Sequence, residues 1–302
     1  MIVDCFPFAS EVNLLDARLE LLANHVDYFL IQEVGETHAG LPKQNWLSLD
    51  SWPLKNYRDK IVLIQKSAFP RELRPFERDW WQRDLAQSWL LENMEESDIL
   101  IYGDVDEIPE PSKLAYAIEK VSQLDRPAFL AMAMHYCYLN YRERTGKLLS
   151  NLGDFDNSNK LRARWLGTVV WPWSKAKDYL PSQLRSGEVV DVEYGFRVND
   201  GGWHFSYVDG PGENGYERFK AKLAISAHQE FNNDKVKDAF WRRISRGLDP
   251  LGRRRVRFEI MDSVEEFPEA IQNLAKIKPE LILFKDKIPV RNYIQFRNYK
   301  LL

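Results

Sequence analysis

The chain has 302 residues, a formal net charge of −3 and a sequence pI near 6.0. With 44% hydrophobic and 29% charged residues it has the composition of a globular protein, and its slight negative charge gives no field that would favour nucleic acid. The two cysteines, Cys5 and Cys137, exclude a disulfide scaffold, and both lie in apolar stretches where we expect buried thiols.

Strands and helices alternate along the first half of the chain. Short apolar runs predict strands, and apolar residues at helical spacing predict the helices between them. The predicted strands are 1–8, 26–34, 60–66 and 99–102, and the predicted helices are 11–24, 76–93 and 111–124. This alternation predicts an α/β fold in which helices flank a mixed, mostly parallel sheet.

The second half is less regular and rich in aromatic residues. We predict strands over 129–141, 164–173 and 201–208, a surface loop over 145–162, a candidate lid over 209–215, and helices over 216–227 and 234–247. The tail predicts a helix over 264–277 and a final strand. Because no linker divides the chain, we expect a single domain with a decorated C-terminal half, in which 1–260 form the main domain and 261–302 an extension packed on it.

The strongest chemical signal is an acidic cluster at the end of the fourth predicted strand. The strand 99–102 runs directly into Asp104, Asp106 and Glu107. Ligands of open α/β sheets bind beyond the carboxyl ends of such strands, and three crowded carboxylates repel each other unless a cation relieves the repulsion. Oxygen ligands suit Mg²⁺ or Mn²⁺, so the cluster predicts a metal and diphosphate site. The alternative is a strand-end turn with solvated acids.

Two histidines have neighbours that suggest a role. His204 follows Gly201 and Gly202, which would let the backbone approach a ligand closely, and a neutral imidazole can complete a carboxylate metal site. His228 and Glu230 lie two residues apart and share one face if the segment is extended. A purely structural role is the alternative for each of them.

Several cations in the sequence could meet a diphosphate. Arginine does so through two parallel hydrogen bonds, and lysine as a point charge. The candidates are Arg78 and Arg83, on the helix before the acidic strand, and Lys220 and Lys222, before His228. Their alternative role is a solvated helix face. The single basic run, 253–257, is expected to be a solvated loop rather than a phosphate or nucleic-acid patch.

Several segments of the chain, taken in order, resemble a known enzyme family. They are MIVDCFPFASEVNLLDARL, VDYFLIQEVGETHAG, DILIYGDVDEIP, YLNY, GGWHFSY, and KAK followed by ISAHQE. Together they resemble glycosyltransferase family 17, from residue 1 to about residue 252. The resemblance implies a Rossmann-like GT-A fold, a UDP-sugar donor, a divalent cation (Mn²⁺ or Mg²⁺), and inversion at the anomeric carbon. It implies transfer of N-acetylglucosamine to a carbohydrate hydroxyl, with a β-1,4 linkage to mannose as the expected case.

The resemblance also implies roles for individual residues. Asp104 and Asp106 would be the family's motif for the metal and the diphosphate, and His204 a further metal contact. The helix that carries Arg78 and Arg83 resembles the donor-contacting helix of related enzymes.

Inversion requires a base opposite the leaving group, and a carboxylate is the usual choice. The candidates for this base are Glu230, which we favour, Asp209 and Glu193. His228 could instead orient the acceptor or the phosphate. Asp4 and Glu33, near the ends of the first two strands, are placed to contact the nucleotide, as are Lys220 and Lys222.

Three alternatives stay open from the sequence. One is transfer from another UDP-hexose, the second is a metal-dependent phosphohydrolase, and the third is a non-catalytic carbohydrate-binding protein. The sequence shows no run of about 20 apolar residues and no signal-peptide pattern. We therefore expect a cytoplasmic or otherwise soluble microbial or viral relative, with a sugar donor and a carbohydrate acceptor as partners, no nucleic acid and no integral membrane segment.

Overall fold

A computed structural model describes residues 1–43, 47–146, 165–186 and 194–289. The described residues form one ten-stranded mixed sheet. Its strands are β1 Ile2–Phe8, β2 Tyr28–Val34, β3 Ile61–Lys66, β4 Ile99–Tyr102, β5 Glu107–Pro109, β6 Ala128–Tyr136, β7 Tyr141–Glu143, β8 Trp165–Pro172, β9 Phe196–Ser206 and β10 Phe258–Ile260.

The first half of the chain forms the parallel part of the sheet. Strand β1 lies between β2 and β4, and β3 extends the sheet beyond β2, all in parallel. Strands β1, β2 and β4 are largely buried on both faces, which is why they appear in the sequence as continuous apolar runs, whereas the edge strand β3 is only partly buried. The antiparallel pairs come with the strands of the second half, where β8 pairs with β4 and with β6.

Helices cover both faces of this sheet. They are α1 Val12–Leu22, α2 Pro75–Asp84, α3 Gln87–Asn93, α4 Pro111–Leu124, α5 Trp173–Ala176, α6 Gly215–Ile225, α7 Asp234–Asp238, α8 Phe240–Ile244 and α9 Glu269–Ile277. Leu15 of α1 and Leu114 of α4 share a core cluster with Phe6, while Leu90 of α3 packs in another cluster with Val3. Residues three apart on β1 thus reach opposite faces, and the predicted mixed α/β sheet flanked by helices is confirmed.

Several predicted boundaries need correction. The helix predicted over 76–93 is divided into α2 and α3, because the backbone N–H groups of Leu85 and Ala86 bond three residues back instead of four. The strand predicted over 129–141 is interrupted after Tyr136, where Cys137 has a φ of 63° and turns the chain. The helix predicted over 234–247 is divided at Ala239 into α7 and α8. The short strands β5 and β10 were not predicted.

The segment after residue 260 packs on the first helix. Ile271 and Leu274 of α9 lie in one cluster with Leu14 and Ala17 of α1. Helix α9 begins five residues later than predicted, after Pro268, whose missing N–H suits a position just before a helix. The predicted final strand falls mostly in residues 290–302, outside the described residues, and the division into 1–260 and 261–302 stays a prediction.

Two further expectations concern the thiols and the membrane. Cys5 and Cys137 are both buried and unpaired, as expected. Among the helices of the described residues, none has the length and apolarity that crossing a membrane requires.

Candidate functional site

A cavity of about 290 Å³ opens at the carboxyl ends of β1 and β4. It is lined by the end of β1, the acidic segment after β4, helix α2, strand β9, and helix α6 with the segment after it. Of the residues predicted from the sequence, the cavity brings together Arg83, Asp104, Asp106, His204, Lys222 and His228. This is the position at which open α/β sheets bind their ligands.

Two arginines neutralise Asp104. One carboxylate oxygen lies 2.8 Å from Nη1 of Arg83 and the other 2.9 Å from Nη1 of Arg185. Burial alone would raise the pKa of Asp104, but Arg185 and Arg83 hold it well below its ordinary value. The repulsion expected among the carboxylates is therefore relieved in part by the protein's own guanidinium groups.

Glu107 lies at the back of the cluster and is fully buried. Its carboxylate accepts hydrogen bonds from Nη2 of Arg185 at 2.6 Å and from Nε1 of Trp165 at 2.7 Å. The sequence suggested neither partner. Arg185 comes from an irregular segment with no motif, so only the folded chain places it beside the acids.

His204 reaches the cluster through the pairing of β5 with β9, in which it lies opposite Glu107. Gly202 has a φ of 140°, and a Cβ there would lie 2.2 Å from the carbonyl oxygen of Ile108. The predicted close approach at this glycine is thus made to strand β5 and not to a ligand, which corrects the expectation.

The charge state of His204 follows from its neighbours. Its Nε2 lies 3.5 Å from Oδ1 of Asp106, and its Nδ1 lies 3.8 Å from Glu107. Burial opposes protonation, but the carboxylates of Asp106, Glu107 and Asp104 outweigh it and raise the pKa of His204 above its usual value. A proton on His204 thus offsets the same negative charge that a bound metal ion would offset.

Asp106 and His204 are the residues that fit a cation. Within the ranges that the structure describes, no three His, Cys, Asp or Glu side chains form a cluster that could hold a metal ion alone. Mg²⁺, however, commonly keeps waters and is held by one or two carboxylates together with substrate phosphates. The pair of Asp106 and His204 suits a cation of this kind, completed by a diphosphate, because Asp104 is already engaged by arginines.

Lys222 adds a positive charge to the lining of the cavity. Its Nζ contacts the carboxylate of Glu11, which also lines the cavity. Burial lowers the pKa of Lys222 to about 8. This value places the titration of Lys222 close to neutral pH. The neighbouring Glu11 carboxylate acts in the opposite direction, because it favours the charged form of the lysine.

His228 and Glu230 form a pair at the mouth of the cavity. Nδ1 of His228 lies 2.8 Å from Oε1 of Glu230, and the imidazole stands edge to face with Phe76 at 5.0 Å. His228 lines the cavity, whereas Glu230 does not. The carboxylate favoured as the base therefore orients an imidazole, and the imidazole faces the cavity.

Two of the predicted acids lie in the interior instead of the cavity. Asp4 is fully buried and receives two hydrogen bonds from Arg18, at 2.7 and 2.8 Å. Glu33 is also fully buried and accepts bonds from Lys43 at 3.2 Å and Gln65 at 2.8 Å. Neither is placed to contact a nucleotide, because the residues that line the cavity come later in each of the two segments.

Asp209 acts as a helix cap. Its carboxylate accepts hydrogen bonds from the backbone N–H groups of Asn13, Leu14 and Gly210 at 2.7 to 3.0 Å. These bonds engage the carboxylate at the start of α1, and Asp209 does not line the cavity, so it is not placed to act on an acceptor there. The loop 209–215 contributes no side chain to the lining of the cavity among the described residues, so its predicted role as a lid is not supported by its position.

The remaining predicted cations also lie elsewhere, and one predicted acid cannot be placed. Arg78 donates to the carbonyl oxygen of His38 at 3.0 Å, and Lys220 lies 4.6 Å from the ring centroid of Tyr216. Glu193 lies outside the described residues. Of the two basic pairs expected on helices, each therefore contributes one member to the cavity, Arg83 and Lys222.

Sequence reasoning missed a glutamine that joins three parts of the cavity wall. Gln82 of α2 donates to the carbonyl oxygens of Phe8 and Gln32, at 3.0 and 2.8 Å, and lies 2.8 Å from Nε2 of His38. Its position one residue before Arg83 on a buried helix face was the available signal.

Comparison with known proteins gives one family match. Residues 1–141 match glycosyltransferase family 17, which confirms the predicted resemblance over this part of the chain, while the predicted likeness from there to about residue 252 stays a prediction. No curated protein matches the sequence.

Solved structures include distant likenesses. A Francisella tularensis 2-C-methyl-D-erythritol 4-phosphate cytidylyltransferase is 12% identical with a TM-score of 0.38, over 66% of this chain and 89% of that one. The glucosyl-3-phosphoglycerate synthase of Mycobacterium tuberculosis, solved with Mn²⁺, UDP-glucose and glycerol 3-phosphate, is 12% identical with a TM-score of 0.34, over 74% and 78% of the two chains. Scores this low decide nothing about the reaction of this chain.

Proposed function

Because residues 1–141 match glycosyltransferase family 17, the protein is a glycosyltransferase, and we propose that its cavity binds a UDP-sugar and passes the sugar to a carbohydrate hydroxyl. One observation carries the proposal: acids and cations from distant parts of the chain converge at the carboxyl ends of β1 and β4. N-acetylglucosamine is the proposed sugar, with a β-1,4 linkage to mannose as the proposed product. Both rest on the family resemblance.

Asp106 and His204 would hold the cation. A bound Mn²⁺ or Mg²⁺ supplies Lewis-acid stabilisation of the negative charge that grows on the UDP leaving group. The protein's own contribution is to keep two ligands on facing strand ends, Asp106 after β4 and His204 on β9.

Two cationic side chains in the cavity would bind the diphosphate directly. Arg83 of α2 and Lys222 of α6 both line the cavity, Arg83 in contact with Asp104 and Lys222 in contact with Glu11. Fixed charges in a partly dry site stabilise a leaving group more strongly than they would in water. Arg185 acts as a positioning residue, since it holds Asp104 and Glu107 without lining the cavity.

His228 is our candidate for the proton acceptor. An inverting reaction requires a base on the face opposite the leaving group, within hydrogen-bond reach of the acceptor hydroxyl. Glu230 holds Nδ1 of His228 at 2.8 Å, which leaves the other ring nitrogen to take the proton. The arrangement resembles other base and orienting-acid pairs in which the carboxylate fixes the tautomer of the imidazole.

The substitution Asp106→Ala tests the proposal. We expect it to abolish cation-dependent UDP release from UDP-N-acetylglucosamine in the presence of a mannoside acceptor, with the thermal transition unchanged. Asp59→Ala removes an exposed aspartate that does not line the cavity and serves as the control. Full activity of the Asp106 variant in the presence of EDTA would refute the role of the metal.

A donor panel decides which sugar is transferred. UDP-N-acetylglucosamine, UDP-glucose and UDP-galactose are compared by the rate of UDP release with and without acceptor. Faster release from either hexose would replace the proposed donor but keep the reaction class. Hydrolysis of simple phosphate esters without any acceptor would support a phosphohydrolase instead.

A further inference from the structure

A second cavity lies beside the loop that joins α8 to β10. Its volume is about 310 Å³, and five arginines line it: Arg243, Arg253, Arg254, Arg255 and Arg257. Among its described lining residues the one carboxylate is Asp249. We call this cavity the arginine pocket. The whole chain has a net charge of −3, so this concentration of positive charge is local.

The loop is built to hold two of the guanidinium groups in place. An antiparallel bridge between Leu248 and Arg257 closes its base. Nη1 of Arg243 donates to the carbonyl oxygen of Pro250 at 2.7 Å. Gly252 has a φ of 86°, and a Cβ there would lie 2.5 Å from Nη2 of Arg243, so the glycine makes room for this side chain.

Arg253 is fixed by Asp249 from three directions. Its backbone N–H, its Nε and its Nη2 all donate to the Asp249 carboxylate, at 2.7, 3.0 and 2.8 Å. Asp249 is buried, and this pairing engages both of its oxygens. Among the described residues, the Asp249 carboxylate forms no hydrogen bond or ion pair with the other four arginines.

The other charges of the pocket are not compensated. Arg254, Arg255 and Arg257 are exposed, and none of the described carboxylates forms an ion pair with them. Burial lowers the pKa of Arg243, and the charge of Arg242 lowers it further while Asp249 opposes both. In a solvated loop, repulsion would drive these side chains apart, whereas here all five arginines line one cavity. An anion with several oxygens would relieve their repulsion.

The arginine pocket adjoins the main cavity. Arg253 lines both cavities, and its guanidinium lies 5.4 Å from the ring centroid of Tyr136, which lines the main cavity. A saccharide in the main cavity could therefore extend an anionic substituent past Arg253.

We propose that the arginine pocket binds the phosphate or carboxylate group of an anionic carbohydrate acceptor. Guanidinium groups recognise both anions through paired hydrogen bonds, which lysine cannot reproduce. This inference rests on the proposed function, because it assigns the sugar part of the same molecule to the main cavity. It replaces the expectation of a solvated loop for residues 253–257.

The first experiment measures anion binding without catalysis. Binding of inorganic phosphate and of mannose 6-phosphate is followed by calorimetry at low ionic strength, with the native chain and two variants. Arg254→Gln/Arg255→Gln removes two charges from the pocket. Arg71→Gln/Arg246→Gln removes two charges from exposed arginines that line neither cavity, and is the matched control.

We expect the dissociation constant of both probes to rise about tenfold or more in the pocket variant and to change little in the control. Equal effects of the two variants would show a general charge effect and overturn the proposal. Full competition of UDP with inorganic phosphate would place the anion in the main cavity and overturn it as well. A short oligonucleotide that binds more tightly, and only with the pocket intact, would assign the arginines to nucleic acid instead.

The second experiment measures transfer to mannose 6-phosphate, a mannuronate glycoside and neutral mannose. We expect the pocket variant to raise the KM of the anionic acceptors about tenfold, with the KM of the donor unchanged, because neither Arg254 nor Arg255 lines the main cavity. An equal KM for neutral and anionic acceptors in the native chain would overturn the acceptor assignment. Specific anion binding with no transfer from any UDP-sugar would instead refute the proposed function and leave the anion site standing.

Discussion

Two aspartate–arginine groups of the sheet differ in exposure, and that difference separates structure from function. Asp4 and Arg18 are both fully buried and pair within the interior. Asp104 pairs with Arg83 and Arg185 one strand away, but its side chain is 27% exposed and faces the cavity. The two groups use the same ionic chemistry. Only the second lines a cavity that solvent reaches, so only the second could exchange a protein partner for a ligand.

Arg18 also ties the two groups together. Its Nη1 donates to the carbonyl oxygen of Asp104 at 3.0 Å and to that of Glu107, and its guanidinium lies 4.6 Å from the ring centroid of Phe6. The buried pair of Asp4 and Arg18 therefore supports the backbone that carries the exposed Asp104. We infer that stability depends mainly on the first group and activity mainly on the second.

Arg18→Ala is expected to have the largest effect, on stability. It leaves the Asp4 carboxylate buried without a partner, so we expect a loss of about 3–5 kcal/mol in the free energy of unfolding, measured with urea. The double variant Asp4→Leu/Arg18→Met removes both charges and should be less destabilised than the single one. A single variant within about 0.5 kcal/mol of the native chain would contradict the structural role.

The most exposed histidine–carboxylate pair among the described residues, His228 with Glu230, extends the comparison. Both side chains are 54% exposed. We expect His228→Gln to lower kcat about 100-fold or more while UDP binding and the thermal transition are kept. Glu230→Gln should lower kcat less, because it only orients the imidazole. A larger loss from Glu230→Gln than from His228→Gln would return the base to the carboxylate.

Arg185→Gln sharpens the difference between positioning and binding. We expect kcat/KM to fall by up to about 100-fold, because Asp104 and Glu107 lose a shared partner and the acidic cluster shifts. Stability should fall less than in Arg18→Ala, since Arg83 still pairs with Asp104 and Trp165 with Glu107. Arg185→Lys keeps the positive charge but lacks the paired N–H donors of the guanidinium group, so it should recover part of the activity. Unchanged kinetics in both variants would refute the positioning role.

The smallest expected effect is a pH dependence at Lys222. Because its pKa lies at about 8, the charged form that attracts the diphosphate is present below that pH and is lost above it. The KM of the donor should therefore rise a few-fold between pH 7 and about pH 9. Glu11→Gln should move the rise to lower pH, and Lys222→Arg should abolish it. A native profile that is flat across this range would show that Lys222 does not bind the diphosphate.

Much of the parallel half of the sheet could be predicted, and much of the site could not. Strands β1 to β4 and helices α1 and α4 follow from apolar periodicity, and Asp104 and Asp106 follow from their position after a buried strand. The role of Asp209 could not be predicted, because its partners Asn13 and Leu14 lie 196 and 195 residues away. The same holds for Asp4, whose proximity to a strand end suggested a ligand although its partner is Arg18.

Three features can be recognised from the order of residues alone, because they depend on residues close together along the chain: the alternation of strands and helices, the acidic segment at a strand end, and the family resemblance. Which charges meet, in contrast, is set by the folded chain. Arg185 pairs with Glu107 across 78 residues, and His204 lies opposite Glu107 through the register of β5 and β9. Such contacts depend on how the strands pair in the sheet, and the local spacing of residues in the sequence does not indicate that pairing.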